Sequence, residues 1–109
     1  MEIYGNTRKL SKIISSEKLI IKQYGKMVGA KLMQRISEFR ATDSLSEISH
    51  LPPPRLHSLG GDRNGEFAVS LTGNERLVFK GLDINNEFTS NKSQVVKIYI
   101  LEVVDYHGN

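Results

Sequence analysis

Apolar residues recur at Ile21, Tyr24, Val28, Leu32, Ile36 and Phe39, in steps of three and four. That spacing lines up one stripe of an amphipathic α-helix. A shorter helical run, Leu10, Ile13 and Ile14, follows Asn6, whose side chain suits an N-cap. Ser16 restarts the signal, with Glu17 favourably placed in the first turn. Gly25 and Gly29 fall inside the stripe and cost about 1 kcal/mol each against alanine, so they mark a bend or a close helix contact. Lys18, Lys22 and Lys26 form a row on the polar side, read either as a solvated face or as a phosphate-facing ridge.

The period then changes. Residues 43–48 read as a loop with one short helical turn. Leu51-Pro52-Pro53-Pro54 ends all helix, because proline lacks the amide donor and clashes with the preceding turn. This is a stiff connector and not a domain boundary. Beyond it, apolar and polar residues alternate. Residues 55–59 make a short strand and 60–65 a turn. Residues 66–71 alternate with Phe67, Val69 and Leu71 on one face, residues 72–74 turn, and 76–80 alternate again. Residues 81–94 are polar and read as a mobile hairpin loop, and 95–104, rich in Val, Ile and Tyr, form the most β-like run. Helices followed by strands predict one α+β domain over residues 1–109, with N-terminal helices packed on one face of an antiparallel sheet.

The 109-residue composition fits that picture: 39% hydrophobic, 25% charged and no cysteine. It excludes a disulfide scaffold, a cysteine nucleophile and a thiolate metal site. No apolar stretch reaches the roughly 20 residues of a membrane span, and Met1 to Lys12 lacks a signal-peptide core, so a cytoplasmic protein with no membrane association is expected. Charge is uneven. Residues 1–50 hold nine Lys/Arg against five Asp/Glu, and residues 51–109 hold six against seven. The net +3 therefore comes from the first half, which permits a polyanionic partner without requiring one.

Candidate chemistry gathers on the strands. The last strand ends in Asp105-Tyr106-His107, three proton-transfer groups at one sheet edge. In a regular strand Asp105 and His107 project to one side and Tyr106 to the other, so Tyr106 joins them only if the terminus twists or bulges. His57 shares a face with Arg55, and histidine exchanges protons near neutral pH. Arg76 alternates with Val78 and Lys80, and a strand arginine among apolar neighbours needs an anion or a carboxylate such as Asp62, Glu66 or Glu102. No phosphate-cradling glycine loop, metal-ligand spacing or nucleophile elbow is present. His57, Asp105 and His107 could in principle hold a metal, but nothing in their spacing selects one.

The segment from Leu51 to Leu71, the strand Glu75-Arg76-Leu77-Val78-Phe79, the ending Val103-Val104-Asp105-Tyr106-His107 and the helix from Lys22 to Phe39 resemble HigB-type toxins of the RelE/ParE superfamily, in that family's order over residues 7–107. The resemblance implies helices on a curved antiparallel sheet. It also implies a toxin of a type II toxin–antitoxin system: a metal-independent, cofactor-free endoribonuclease cutting mRNA, typically on the ribosome, with a HigA-like helix-turn-helix antitoxin as partner. His57, Arg76, Asp105, Tyr106 and His107 fall on the family's catalytic positions, and Arg55, Arg63 and Lys80 are expected to contact RNA. Glu75 stands where relatives often carry an aromatic residue, and residues 81–94 form a longer loop than in compact members.

The chemistry is consistent with this. RNA supplies its own nucleophile, the 2′-hydroxyl. The protein then needs a base, a cation for the phosphorane and an acid for the leaving 5′-oxygen. His107 or Asp105 suits the base, His57 the acid or a phosphate contact, and Arg76 the phosphate, with base and acid exchangeable. Two alternatives are a ParE-like toxin that blocks DNA gyrase without cutting RNA, and an inactive RNA-binding domain.

Overall fold

The computed structural model describes residues 1–106. His107, expected among the catalytic residues, lies outside the described residues. The helical half resolves into α1 (Arg8–Ile14), α2 (Glu17–Tyr24) and α3 (Lys26–Arg40). Thr7, one residue after the expected Asn6, caps α1 by accepting from the Leu10 amide at 3.0 Å. Ser16 caps α2 through the Leu19 amide.

The stripe from Ile21 to Phe39 is not one helix. Gly25 sits at φ 84°, a left-handed conformation that ends α2 and starts α3 in a single residue. The lysine row is therefore split, with Lys18 and Lys22 on α2 and Lys26 opening α3. Gly29 then lets α3 fold back on α2. A Cβ there would lie 3.2 Å from the Ile20 Cγ2, which is tighter than ordinary packing.

The strands are β1 (Glu2–Gly5), β2 (His57–Ser58), β3 (Phe67–Ser70), β4 (Glu75–Leu82) and β5 (Lys97–Asp105). They form one sheet in the order β1-β5-β4-β3-β2. The expected antiparallel sheet is in fact mixed, because β1 runs parallel to β5, with Ile3 opposite Ile98 and Tyr4 opposite Tyr99. Strand β1 escapes the sequence pattern because it is only four residues long and half exposed. The segment 81–94 is likewise more ordered than a polar loop. Asp83 Oδ1 accepts from the Asn85 and Glu87 amides, Phe88 pairs with Leu82, and a 3₁₀ turn spans Lys92–Gln94.

The helices cover one face of the sheet. Ile13, Ile14, Ile20, Leu32, Ile36 and Phe39 meet Phe67, Val69, Leu77, Phe79, Ile98 and Ile100 in one buried cluster. Phe79 is its hub, edge-on to Phe39 at 5.2 Å and stacked on Phe67 at 5.7 Å. Arg35 lies on this apolar side of α3 and is 2% exposed. Its Nε donates to the Ser70 carbonyl at 2.8 Å and its Nη1 to both Glu38 carboxylate oxygens at 3.0 Å, so the buried cation is fully met.

One irregularity decides where the end of β5 points. Val78 pairs with Glu102, but Phe79 pairs with Ile100. Leu101 is the extra residue of a β-bulge. Before it, Ile98 and Ile100 face the helices. After it, Val103 does so opposite Leu77, which leaves Glu102, Val104 and Tyr106 on the helix-free face.

Candidate functional site

Cross-strand partners share a face, so the register defines what the helix-free face carries. His57 pairs with Ala68, Ala68 with Val78, and Val78 with Glu102. The next row is Ser70, Arg76 and Val104, and Tyr106 follows Val104 on the same side. His57, Arg76 and Tyr106 are thereby brought to one surface from three strands or strand ends. Tyr106 arrives there because of the Leu101 bulge, and its ring lies 5.8 Å from the Arg76 guanidinium carbon. The same parity sends Asp105 to the opposite face, opposite Glu75, so Asp105 does not join His57 and Arg76. His57 and Arg76 are about 12 Å apart between Cα atoms, given strand spacing and rise.

His57 is exposed, and its Nδ1 lies 2.9 Å from the Arg55 carbonyl. A carbonyl only accepts, so Nδ1 carries the proton. In the neutral ring, Nε2 then presents a lone pair to solvent. Arg76 is half-buried. Its Nη1 donates to the carbonyls of Thr72, Gly73 and Glu75 and braces the turn between β3 and β4. Nε and Nη2 form no hydrogen bond among the described residues and are left to an incoming acceptor.

The three other expected RNA contacts separate. Arg63, in the 3₁₀ turn Gly61–Arg63, is held by Glu66 at 2.6 Å and by Glu102. Hydrogen bonds to Glu102, then to Glu66, push its pKa above the ordinary arginine value. Two carboxylates on one guanidinium make this cluster net negative. The turn it anchors lies on the helix-free side, where Ala68 and Val78 are fully buried apart from the main core. Lys80 stays on the helix-free face with its ammonium 4.7 Å from the Phe88 ring, which itself meets Tyr99 edge-on at 5.4 Å.

Arg55 is exposed and lines a cleft of about 380 Å³ together with Arg76. Lys31 and Arg35 of α3 line the same cleft, and the strand pattern did not bring them to notice. A signal existed for Arg35. It stands three residues after Leu32 and four before Phe39, a charge on the apolar stripe. Among the described residues, no group of three or more histidine and carboxylate side chains is placed to hold a metal ion. No described helix is long and apolar enough to cross a membrane.

Helices on one face of a five-stranded mixed sheet are an arrangement that this chain shares with solved structures. A YoeB/ParE toxin from Agrobacterium tumefaciens has it: the two structures superpose with a TM-score of 0.58 over 98% of this chain and 100% of that one, at 11% identity. The conserved hypothetical protein HP0892 from Helicobacter pylori aligns more loosely, with a TM-score of 0.47, 16% identity and 97% and 94% of the two chains covered. No family model matches the sequence, and no curated protein matches it.

Proposed function

We propose that this chain is the toxin of a type II toxin–antitoxin pair and acts as a metal-independent endoribonuclease on mRNA, in the manner of the HigB-type toxins its sequence resembles. The observation that supports this most is the surface shared by His57, Arg76 and Tyr106. A blocking protein has no use for an exposed imidazole with a solvent-facing nitrogen beside an arginine and a phenol. RNA cleavage uses all of them.

In this reading the strand lies across the helix-free face. Arg76 meets the scissile phosphate through Nε and Nη2 and stabilises charge as the phosphorane forms. His57 Nε2 accepts a proton from the 2′-hydroxyl or, once protonated, donates one to the 5′-oxygen. His107, next along the chain from Tyr106, supplies the complementary step. Tyr106 packs on Arg76 and offers a ring for a base to stack on. A helix-turn-helix antitoxin of the HigA kind is the matching partner, and mRNA on the ribosome the substrate.

The test is expression in a bacterial host with message integrity followed by primer extension. Wild-type protein arrests growth and cuts transcripts. His57→Ala relieves the arrest and lowers cleavage by about 10²-fold or more, as expected for loss of a positioned proton-transfer group. Arg76→Lys keeps a cation but loses the planar fork, and falls similarly. Full toxicity in both variants sinks the assignment. Intact message beside trapped or unsupercoiled DNA would replace it with the gyrase-directed reading.

A further inference from the structure

The cleft between α3 and the β3–β4 turn has a property that the catalytic reading does not use. Of its lining residues, Lys31, Arg35, Arg55 and Arg76 are cationic and none is acidic. Among the described residues the ion pairs are Arg35–Glu38, Arg63–Glu66 and Arg63–Glu102, and none of them involves Lys31, Arg55 or Arg76. Arg35 is neutralised by Glu38 and anchors the wall through the Ser70 carbonyl. The other three charges converge uncompensated on a volume that holds a phosphate group together with its first waters.

The backbone points the same way. Arg55 has φ 50°, in the left-handed region where a side chain is strained and glycine is at ease. Its amide donates to the Leu51 carbonyl at 3.0 Å, and the next residue but one is His57. Arginine at a position that favours glycine is the kind of local backbone strain that clusters at ligand-binding segments. The register explains the direction: the Ser70 amide donates to the Pro54 carbonyl at 2.7 Å, which brings Arg55 beside Ser70 and opposite Arg76 across β3.

We infer that this cleft is a phosphate-binding subsite, formed by Lys31 and Arg55 on an Arg35 scaffold, which holds the phosphodiester next to the scissile one assigned to Arg76, a residue that lines the same cleft. This rests on the proposed reading of the helix-free face as an RNA site, and it adds a helix residue, Lys31, to a site otherwise made by strands. Free phosphate offers the same chemistry, so the test separates the two sources.

The probe is a short deoxyoligonucleotide, which lacks the 2′-hydroxyl and is not cut. Binding is measured as a function of salt for the full chain, for Lys31→Ala, for Arg55→Gly and for the control Lys18→Ala on α2. Lys31→Ala and Arg55→Gly each weaken binding about tenfold, the usual scale for one charge-assisted contact. Each also lowers the slope of log affinity against log salt by about 0.7, the value for one phosphate contact on a single strand. Arg55→Gly does so while melting no lower than wild type, since glycine relieves the backbone. The control moves neither quantity.

Unchanged affinity and slope in both variants overturns the subsite. So does inorganic phosphate that shifts the NMR signals of Lys31 and Arg55 but is not displaced by the oligonucleotide. Cleavage is scored separately with an RNA of the same sequence. A chain that binds as described but never cuts refutes the ribonuclease reading and leaves the subsite standing. A chain that cuts normally with Lys31→Ala and Arg55→Gly both silent refutes the subsite alone.

Discussion

The two halves of β5 do different work. Before Leu101, the strand is scaffold: Ile98 and Ile100 are buried against the helices and pair with Gly81 and Phe79. After it, Val103 alone still packs toward the core, while Glu102 reaches to Arg63, Val104 lies beside Arg76, and Tyr106, just past the strand, covers the guanidinium. A single extra residue separates them. The bulge lets nine residues of one strand serve a core and a site whose side-chain parities do not match. The bulged residue itself is not marked by type, since Leu101 sits among equally apolar neighbours such as Ile100 and Val103.

That contrast can be broken most forcefully in the scaffold half. Ile100→Ala leaves a cavity beside Phe79 and is expected to cost about 3 kcal/mol in urea unfolding, whereas truncation of exposed Tyr106 changes stability by well under 1. Comparable losses at the two sites would mean that the halves are not distinct. Deleting Leu101 is a subtler probe. The ladder can then close from Ile100 directly to Glu102 with every later residue on its present face. The expected cost is about 1 to 2 kcal/mol, and the ring-current shift of Tyr106 on the Arg76 methylenes survives. Its disappearance would show that the bulge sets more than the count. The smallest effect belongs to Glu102→Gln. Losing one partly exposed ion pair costs under about 1 kcal/mol. The Arg63 cluster gains one positive charge, so oligonucleotide binding becomes tighter at low salt and more salt-sensitive. An unchanged salt slope would show that Arg63 stays closed off by Glu66 alone.

Much of this architecture could be read from spacing. The helix stripe, the proline stop and the alternation of 66–71 and 76–80 each follow from local periodicity, and the helices-on-sheet arrangement follows from their order. What escaped was non-local. Strand β1 exists because Ile3 and Tyr4 find β5 far along the chain, and four half-exposed residues carry no period of their own. The bulge escaped because Leu101 is as apolar as its neighbours, so counting alternate residues gave the wrong faces for Asp105 and Tyr106. The candidate site shows the same limit. His57 and Arg76 could be picked out as chemistry without a structure. That Arg63 is bound by two carboxylates while Arg55 is not could not be, because Glu66 and Glu102 approach only in the folded chain. Lys31 and Arg35 are concealed because they belong to a helix whose periodicity speaks only for its hydrocarbon stripe.

The lengths of the outermost strands also bear on how copies of this protein treat one another. One margin of the sheet is β1, four residues long, and the other is β2, two residues long. The eight- and nine-residue strands are sealed between neighbours. A stray chain seeking backbone partners thus meets only stubs, too brief to seed fibrous stacking.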